Sequence, residues 1–182
     1  PGPAPSLSEF AAFCQANAVS WVSLPTAYWH EWVALVDGTA PPLWPALSTV
    51  IIGGEKALLE NWRRWQQAVG ARVQLLNTYG PTEASIAAAW FDLTHQNPDA
   101  LHDIPIGRPL PGVQLAILDA SLRPQPPGVP GALYIGGVGL ARGYLGQTSA
   151  AFVDQTISSA PGIDAVRWYR TGDQARLQGD GT

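Results

Sequence analysis

The sequence predicts an α/β protein: a parallel sheet built from βαβ units, followed by a smaller β-rich part. Three observations carry that prediction. Over residues 1–95, short apolar runs alternate with stretches of helical periodicity, the pattern of strands joined by helices. Over residues 96–182 the helical period disappears, and short apolar runs bounded by Gly and Pro take over. Composition agrees with a packed globular chain: 46% of residues are hydrophobic and only 13% are charged.

The first half reads in order. Ser6 stands where a helix cap belongs, and Leu7, Phe10, Ala11 and Cys14 recur at helical spacing. Cys14 lies on that apolar stripe, which gives it a packing role. Val19–Leu24 reads as a strand, and Pro25 opens the next helix, where its missing N–H costs nothing. Tyr28, Trp29, Trp32, Val33 and Val36 form that helix's apolar face, flanked by His30 and Glu31, with Gly38 as its stop. Ser48–Ile52 is a second strand, ending in Gly53-Gly54-Glu55-Lys56. Leu58, Trp62, Trp65 and Val69 share a face of a third helix, closed by Gly70. Val73–Leu76, the third strand, runs straight into Asn77-Thr-Tyr-Gly-Pro-Thr-Glu-Ala-Ser85. Parallel sheets place ligands beyond the carboxyl ends of their strands, where both polar punctuations fall.

In the second half Gly112–Asp119, Ala132–Ile135, Arg167–Arg170 and Ala175–Gln178 read as strands of a small distorted barrel or sheet. Gly179-Asp-Gly181 reads as a hairpin turn whose returning strand is absent, so the chain is expected to be a piece of a longer protein.

Several function classes drop out. Net charge is −4, and the only adjacent cations are Arg63 and Arg64, so there is no basic patch for nucleic acid. No apolar run is long enough to span a membrane, and no leader pattern opens the chain; a cytoplasmic protein fits. One cysteine excludes an internal disulfide framework, and three scattered histidines offer no zinc spacing.

Three segments carry chemistry. In the first, Gly80 and Pro81 turn the chain tightly and gather Tyr79, Thr82 and Glu83 at the end of a buried strand. A tyrosine ring offers a stacking face, and a threonine hydroxyl can donate to a phosphate oxygen. A glutamate beside phosphate needs a divalent cation between them. A magnesium nucleotide and a plain turn both account for the set. The second segment, Gly136–Gly146, is glycine-rich but lies among strands and lacks the ending of a phosphate loop; tight turns and close backbone approach explain it. In the third, Tyr169-Arg-Thr-Gly-Asp173, a strand ends in a turn whose Asp173 suits vicinal hydroxyls or simple local capping.

Taken in order, these segments resemble successive core motifs of adenylate-forming enzymes, specifically the adenylation domains of nonribosomal peptide synthetases. Asn77–Glu83 matches that family's Asn-x-Tyr-Gly-Pro-Thr-Glu motif. Gly131–Gly146 resembles its Gly-Glu-Leu-x-Ile-x-Gly-x-Gly-Leu-Ala-Arg-Gly-Tyr motif, and Tyr169–Asp173 its Tyr-Arg/Lys-Thr-Gly-Asp motif. The resemblance implies a reaction in which a substrate carboxylate attacks the α-phosphorus of ATP. An amino or related carboxylic acid becomes an acyl-adenylate, with release of pyrophosphate. The acyl group then passes to the phosphopantetheine thiol of a carrier domain. It further implies that Glu83 holds Mg²⁺ and that Thr82 contacts the α-phosphate, making these two the catalytic pair. Tyr79 stacks on adenine beside Gly80, Asn77 and the Gly54-Glu55 turn line the adenine slot, and Asp173 binds the ribose.

The family's acid pocket maps onto Ser23, Ile51, Gly53, Thr78, Ile86 and Ala87, none of them charged, which favours a neutral, mostly apolar substrate side chain. Ala132 departs from the family's usual Glu. The phosphate loop and pocket Asp are expected upstream of residue 1, and the hinge and mobile domain with its lysine beyond Thr182. The only lysine here, Lys56, sits in another motif. The isolated chain is therefore expected to form no adenylate. Two other readings stand beside this one: an acyl- or aryl-acid ligase of the same superfamily using coenzyme A, and a non-catalytic scaffold that keeps the fold.

Overall fold

A computed structural model of the chain describes residues 5–35, 43–146, 148–154 and 167–182; Val36 and Gly38, assigned above to a helix face and its stop, lie outside them. The chain forms two compact units, Pro1–Asn77 with Phe91–Pro105, and Thr78–Trp90 with Ile106–Thr182. Each is assembled from two chain segments, whereas the sequence reading places one cut after residue 95.

The first unit is built from α1 (Leu7–Ala16), β1 (Trp21–Pro25), α2 (Thr26–Ala34), β2 (Thr49–Gly53), α3 (Leu59–Ala68) and the start of β3 (Gln74–Tyr79). The three strands are parallel, with Ser23 opposite Ile51 and Ile51 opposite Leu76. Helices join them because the intervening apolar residues recur at helical spacing. Trp29, Trp32 and Val33 of α2 and Trp62 and Trp65 of α3 are all fully buried. With Val22, Leu24, Val50, Ile52, Leu75 and the buried Cys14 they form one core. Trp32 stacks on Trp44 and meets Trp65 edge-on.

Local signals set the helix ends. Ser6 caps α1 reciprocally: its hydroxyl accepts from the Glu9 N–H at 3.3 Å, and the Glu9 carboxylate accepts from the Ser6 N–H at 2.9 Å. Ser6→Ala is expected to destabilise this unit by about 1 kcal/mol, read from the shift of its urea midpoint. His30 Nε2 accepts from the Leu58 N–H at the approach to α3, and burial lowers its pKa, which keeps that nitrogen free to accept.

Strands β3 and β4 (Ala89–Asp92) run through the division between the units, and β5 (Arg108–Pro109) pairs antiparallel with β4. The strand order of this sheet is β1-β2-β3-β4-β5.

The second unit holds a separate antiparallel sheet of β6 (Val113–Leu118), β7 (Gly131–Gly137), β8 (Phe152–Asp154) and β9 (Arg167–Ala175), ordered β6-β7-β9-β8. Ala116, Leu118, Tyr134 and Trp168 pack on one side, and Ala84, Ala88 and Ile135 form a second small cluster. Close approach explains Gly137: at φ +110°, a Cβ there would lie 2.1 Å from the Gly112 carbonyl oxygen.

The expected turn at Tyr169–Asp173 is instead a bulge inside one continuous strand. Pairing of β7 with β9 jumps from Tyr134↔Arg170 to Ala132↔Gln174. Gly172, at φ +89°, takes up the extra length. The Thr171 hydroxyl donates to the Leu133 carbonyl at 3.0 Å, so the ladder loses no acceptor. The strand expected over Ala175–Gln178 stops at Ala175. Beyond it Gln178 and Thr182 close the predicted turn through an N–H···O bond of 2.7 Å.

Candidate functional site

In the first unit the alternation of β1 and β2 decides which side chains avoid the core. Val22 and Leu24, and Val50 and Ile52, point into it, so Ser23, Ile51 and Gly53 share the opposite face. Gly54 follows β2 at φ +88°, a conformation that favours glycine, and Glu55 is exposed beside it. Thr26 is a residue the sequence reading did not single out. Fully buried at the start of α2, it donates its hydroxyl to the Gly53 carbonyl at 3.1 Å and so fixes the end of β2. Its only sequence signal is a Pro-Thr pair opening a helix straight after a strand.

Asn77 is buried, and its side-chain amide donates to the Pro105 carbonyl at 3.0 Å. Its amide thus ties the end of β3 to the returning segment. Lys56 forms an exposed ion pair with Asp103 at 2.7 Å.

In the second unit the chain leaves β3 at Thr78 and Tyr79 and turns at Gly80-Pro81. A 3₁₀ turn follows, Thr82–Ala84. Ser85 and Ile86 both have positive φ, 59° and 73°. The Ala87 N–H donates to the Ser85 carbonyl at 2.9 Å, so Ile86 sits at the centre of a γ-turn of the strained, positive-φ kind. Gly80 is pressed against the backbone of Ile86, Ala87 and Ala88.

A β-branched residue at positive φ stores about 1–3 kcal/mol. Ile86 is 80% exposed, so no buried contact repays that strain. Ile86→Gly, which adds back about 1 kcal/mol of unfolded-state freedom, is expected to stabilise the second unit by up to about 2 kcal/mol. Chemical denaturation measures it, and a loss of stability would contradict the strain.

Two predicted residues meet across 94 positions of sequence: the Tyr79 hydroxyl donates to Asp173 Oδ2 at 2.5 Å. Burial, and then the Asp173 acceptor, push the Tyr79 phenol far above its usual range, so it stays a donor. Asp173 is itself held from the bulge, its N–H donating to the Thr171 hydroxyl at 3.0 Å. Glu83 accepts from the Tyr144 hydroxyl, and that bond holds its carboxyl below the usual range, ionised at neutral pH. Tyr144, in the glycine-rich segment, was assigned no such contact from sequence.

Among the described residues no three His, Cys, Asp or Glu side chains converge, so the protein alone offers no metal cage there. One ionised carboxylate on a turn fits a cation that takes its other ligands from phosphates and water. Along β7 and β9 of the second unit lies a cleft of about 510 Å³. Tyr134, Arg170, Gln174 and Ala132 line it, and none of the predicted site residues does.

A family profile described as AMP-binding enzyme matches residues 1–145, and the chain belongs to that family. It is 42% identical over 180 residues to an isonitrile lipopeptide synthase of Streptomyces coeruleorubidus, a match covering 97% of this chain and 11% of that protein. To enterobactin synthase component F of Escherichia coli O157:H7 it is 38% identical over 153 residues, 81% of this chain and 11% of that protein. The chain thus spans about a tenth of the length of these curated relatives.

Among solved structures, the N-terminal subdomain of Klebsiella oxytoca NpsA in complex with 3-hydroxybenzoyl-AMSN superposes with a TM-score of 0.82 at 25% identity. That match covers 100% of this chain and 44% of the other. PA1221, an NRPS protein containing adenylation and PCP domains, matches with a TM-score of 0.84 at 27% identity, over 99% of this chain and 35% of the other. Among the described residues no helix is long and apolar enough to cross a membrane.

Proposed function

We propose that this chain is part of an adenylation domain that activates an amino or related carboxylic acid with Mg-ATP. The products are an acyl-adenylate, destined for the phosphopantetheine arm of a carrier domain, and pyrophosphate. The observation that carries the reading is the Tyr79–Asp173 hydrogen bond. It joins the proposed adenine and ribose contacts in one unit, where Glu83 also stands as an ionised carboxylate.

In this reading Tyr79 offers its ring to adenine while its hydroxyl orients Asp173 toward the ribose hydroxyls. Thr82 would contact the α-phosphate, and Glu83 would hold Mg²⁺, which when bound would supply charge neutralisation at the phosphates. Gly80 keeps the backbone turn tight. The family resemblance assigns adenine binding also to Gly54, Glu55 and Asn77 of the first unit. The same resemblance assigns selection of the acid to Ser23, Ile51 and Gly53 of the first unit and to Thr78, Ile86 and Ala87 of the second. Catalysis then rests on positioning and charge neutralisation more than on covalent help from the chain.

Acid-dependent exchange of labelled pyrophosphate into ATP by the full-length protein tests the proposal. The acid panel should contain apolar amino acids and aryl acids, because NpsA was solved with a hydroxybenzoyl ligand. Exchange with a neutral acid is expected. No exchange with any acid would sink the reading, and a preference for charged side chains would sink the pocket assignment.

A further inference from the structure

The glycine-rich segment Gly136–Gly146 has so far only a structural role, yet it grips the proposed cation site. Within the second unit it meets the turn after Pro81 at three points. The Ala141 N–H donates to the Glu83 carbonyl at 2.7 Å, and the Ser85 hydroxyl donates to the Gly139 carbonyl at 2.7 Å. The Tyr144 hydroxyl donates to Glu83 Oε1.

Two of these bonds tie backbone to turn and leave the carboxylate free to rotate. Of the three, the Tyr144 phenol alone reaches the carboxylate itself, with the Tyr169 hydroxyl beside both groups. The phenol is also supported from behind. Its ring meets Phe152 edge-on at 5.9 Å, and the Arg167 guanidinium lies 4.8 Å over the Phe152 ring. Arg167 in turn donates to the Arg142 carbonyl at 2.7 Å, which closes a loop of contacts back onto the segment that carries Tyr144.

We propose that Tyr144 is a positioning residue for Glu83: its hydroxyl holds one carboxylate oxygen so that the group meets the nucleotide's cation already oriented. The inference rests on the reading of Glu83 given above. The two bonds are compatible, since an ionised carboxylate accepts at about four lone-pair sites. Partners that orient a metal ligand in this way commonly matter about 10–100-fold in metal affinity.

The test uses the full-length protein, with Mn²⁺ as a paramagnetic probe titrated in the presence of a non-hydrolysable ATP analogue. Wild type, Tyr144→Phe, Glu83→Gln and Ser85→Ala are compared. Tyr144→Phe is expected to bind Mn²⁺ about 10-fold more weakly than wild type. It should bind metal-free nucleotide normally, which also reports its folding, and should recover kcat at saturating Mg²⁺. Ser85→Ala removes a tie of the segment without touching the carboxylate and should retain Mn²⁺ affinity. Unchanged Mn²⁺ affinity in Tyr144→Phe, alongside a loss in Glu83→Gln, overturns the positioning role alone. So does an equal loss in Ser85→Ala, or a kcat deficit that excess Mg²⁺ does not restore. Absence of nucleotide-dependent Mn²⁺ binding in wild type overturns both this inference and the reading of Glu83.

Discussion

Glu83→Gln is expected to lower pyrophosphate exchange by the full-length protein about 10²–10³-fold, the usual scale for losing one preorganised electrostatic partner of a transition state. The substitution keeps the shape of the side chain and an oxygen that can accept from Tyr144, so the turn it sits on should survive. What it removes is the negative charge. Glu83 is held ionised by that same hydrogen bond, and an amide cannot hold a divalent cation against the pull of water in the same way. The loss should fall on Mg²⁺-dependent steps, leaving metal-free nucleotide binding near its original strength. Exchange within about 3-fold of wild type would remove Glu83 from the site, because that is far below the cost of a lost electrostatic partner.

Gly80→Ala should cost about 3 kcal/mol, at the upper end of ordinary overpacking. The reason is space. A Cβ at position 80 would lie 2.6 Å from the Ala88 nitrogen, 2.7 Å from the Ile86 carbonyl oxygen and 2.9 Å from the Ala87 Cα. All three are backbone atoms, so no flexible side chain can swing aside. The Ala88 N–H donates to the Tyr79 carbonyl at 2.7 Å, and the intruding methyl would push that bond apart. Hydrogen exchange at the Ala88 amide is the direct measurement, with faster exchange expected. Protection equal to wild type would show that the turn relaxes at no cost.

Burial in the first unit was legible because it is written locally. Tryptophans at positions 29, 32, 62 and 65 recur at helical spacing, and all four are buried. Ser6 and Glu9 form a cap that a six-residue window can reveal. Long-range partners were harder. Thr171–Asp173 reads as a turn because Thr-Gly-Asp favours one, yet its conformation is decided by the Leu133 carbonyl, 38 residues away. Tyr144 and Glu83 are 61 residues apart, and no periodicity links them. The left-handed conformations of Ser85 and Ile86 were also hidden, since neither residue type announces positive φ. For the candidate site, motif order supplied the residues, while the contacts that orient them came only from the folded chain.

The tryptophans have an optical consequence. Trp29, Trp32, Trp44, Trp62 and Trp65 are buried in the first unit, Trp168 alone is buried in the second, and Trp21 and Trp90 are exposed. Ring centroids 5.7–6.1 Å apart link Trp29, Trp32, Trp44 and Trp65, so their excited states exchange energy and emit as a group. Intrinsic fluorescence of this chain is therefore mainly a signal from the unit that lacks Tyr79, Thr82, Glu83 and Asp173. A variant that loosens the nucleotide-motif unit can leave the emission spectrum nearly unchanged. Melting curves recorded by tryptophan light would then rank such variants as harmless.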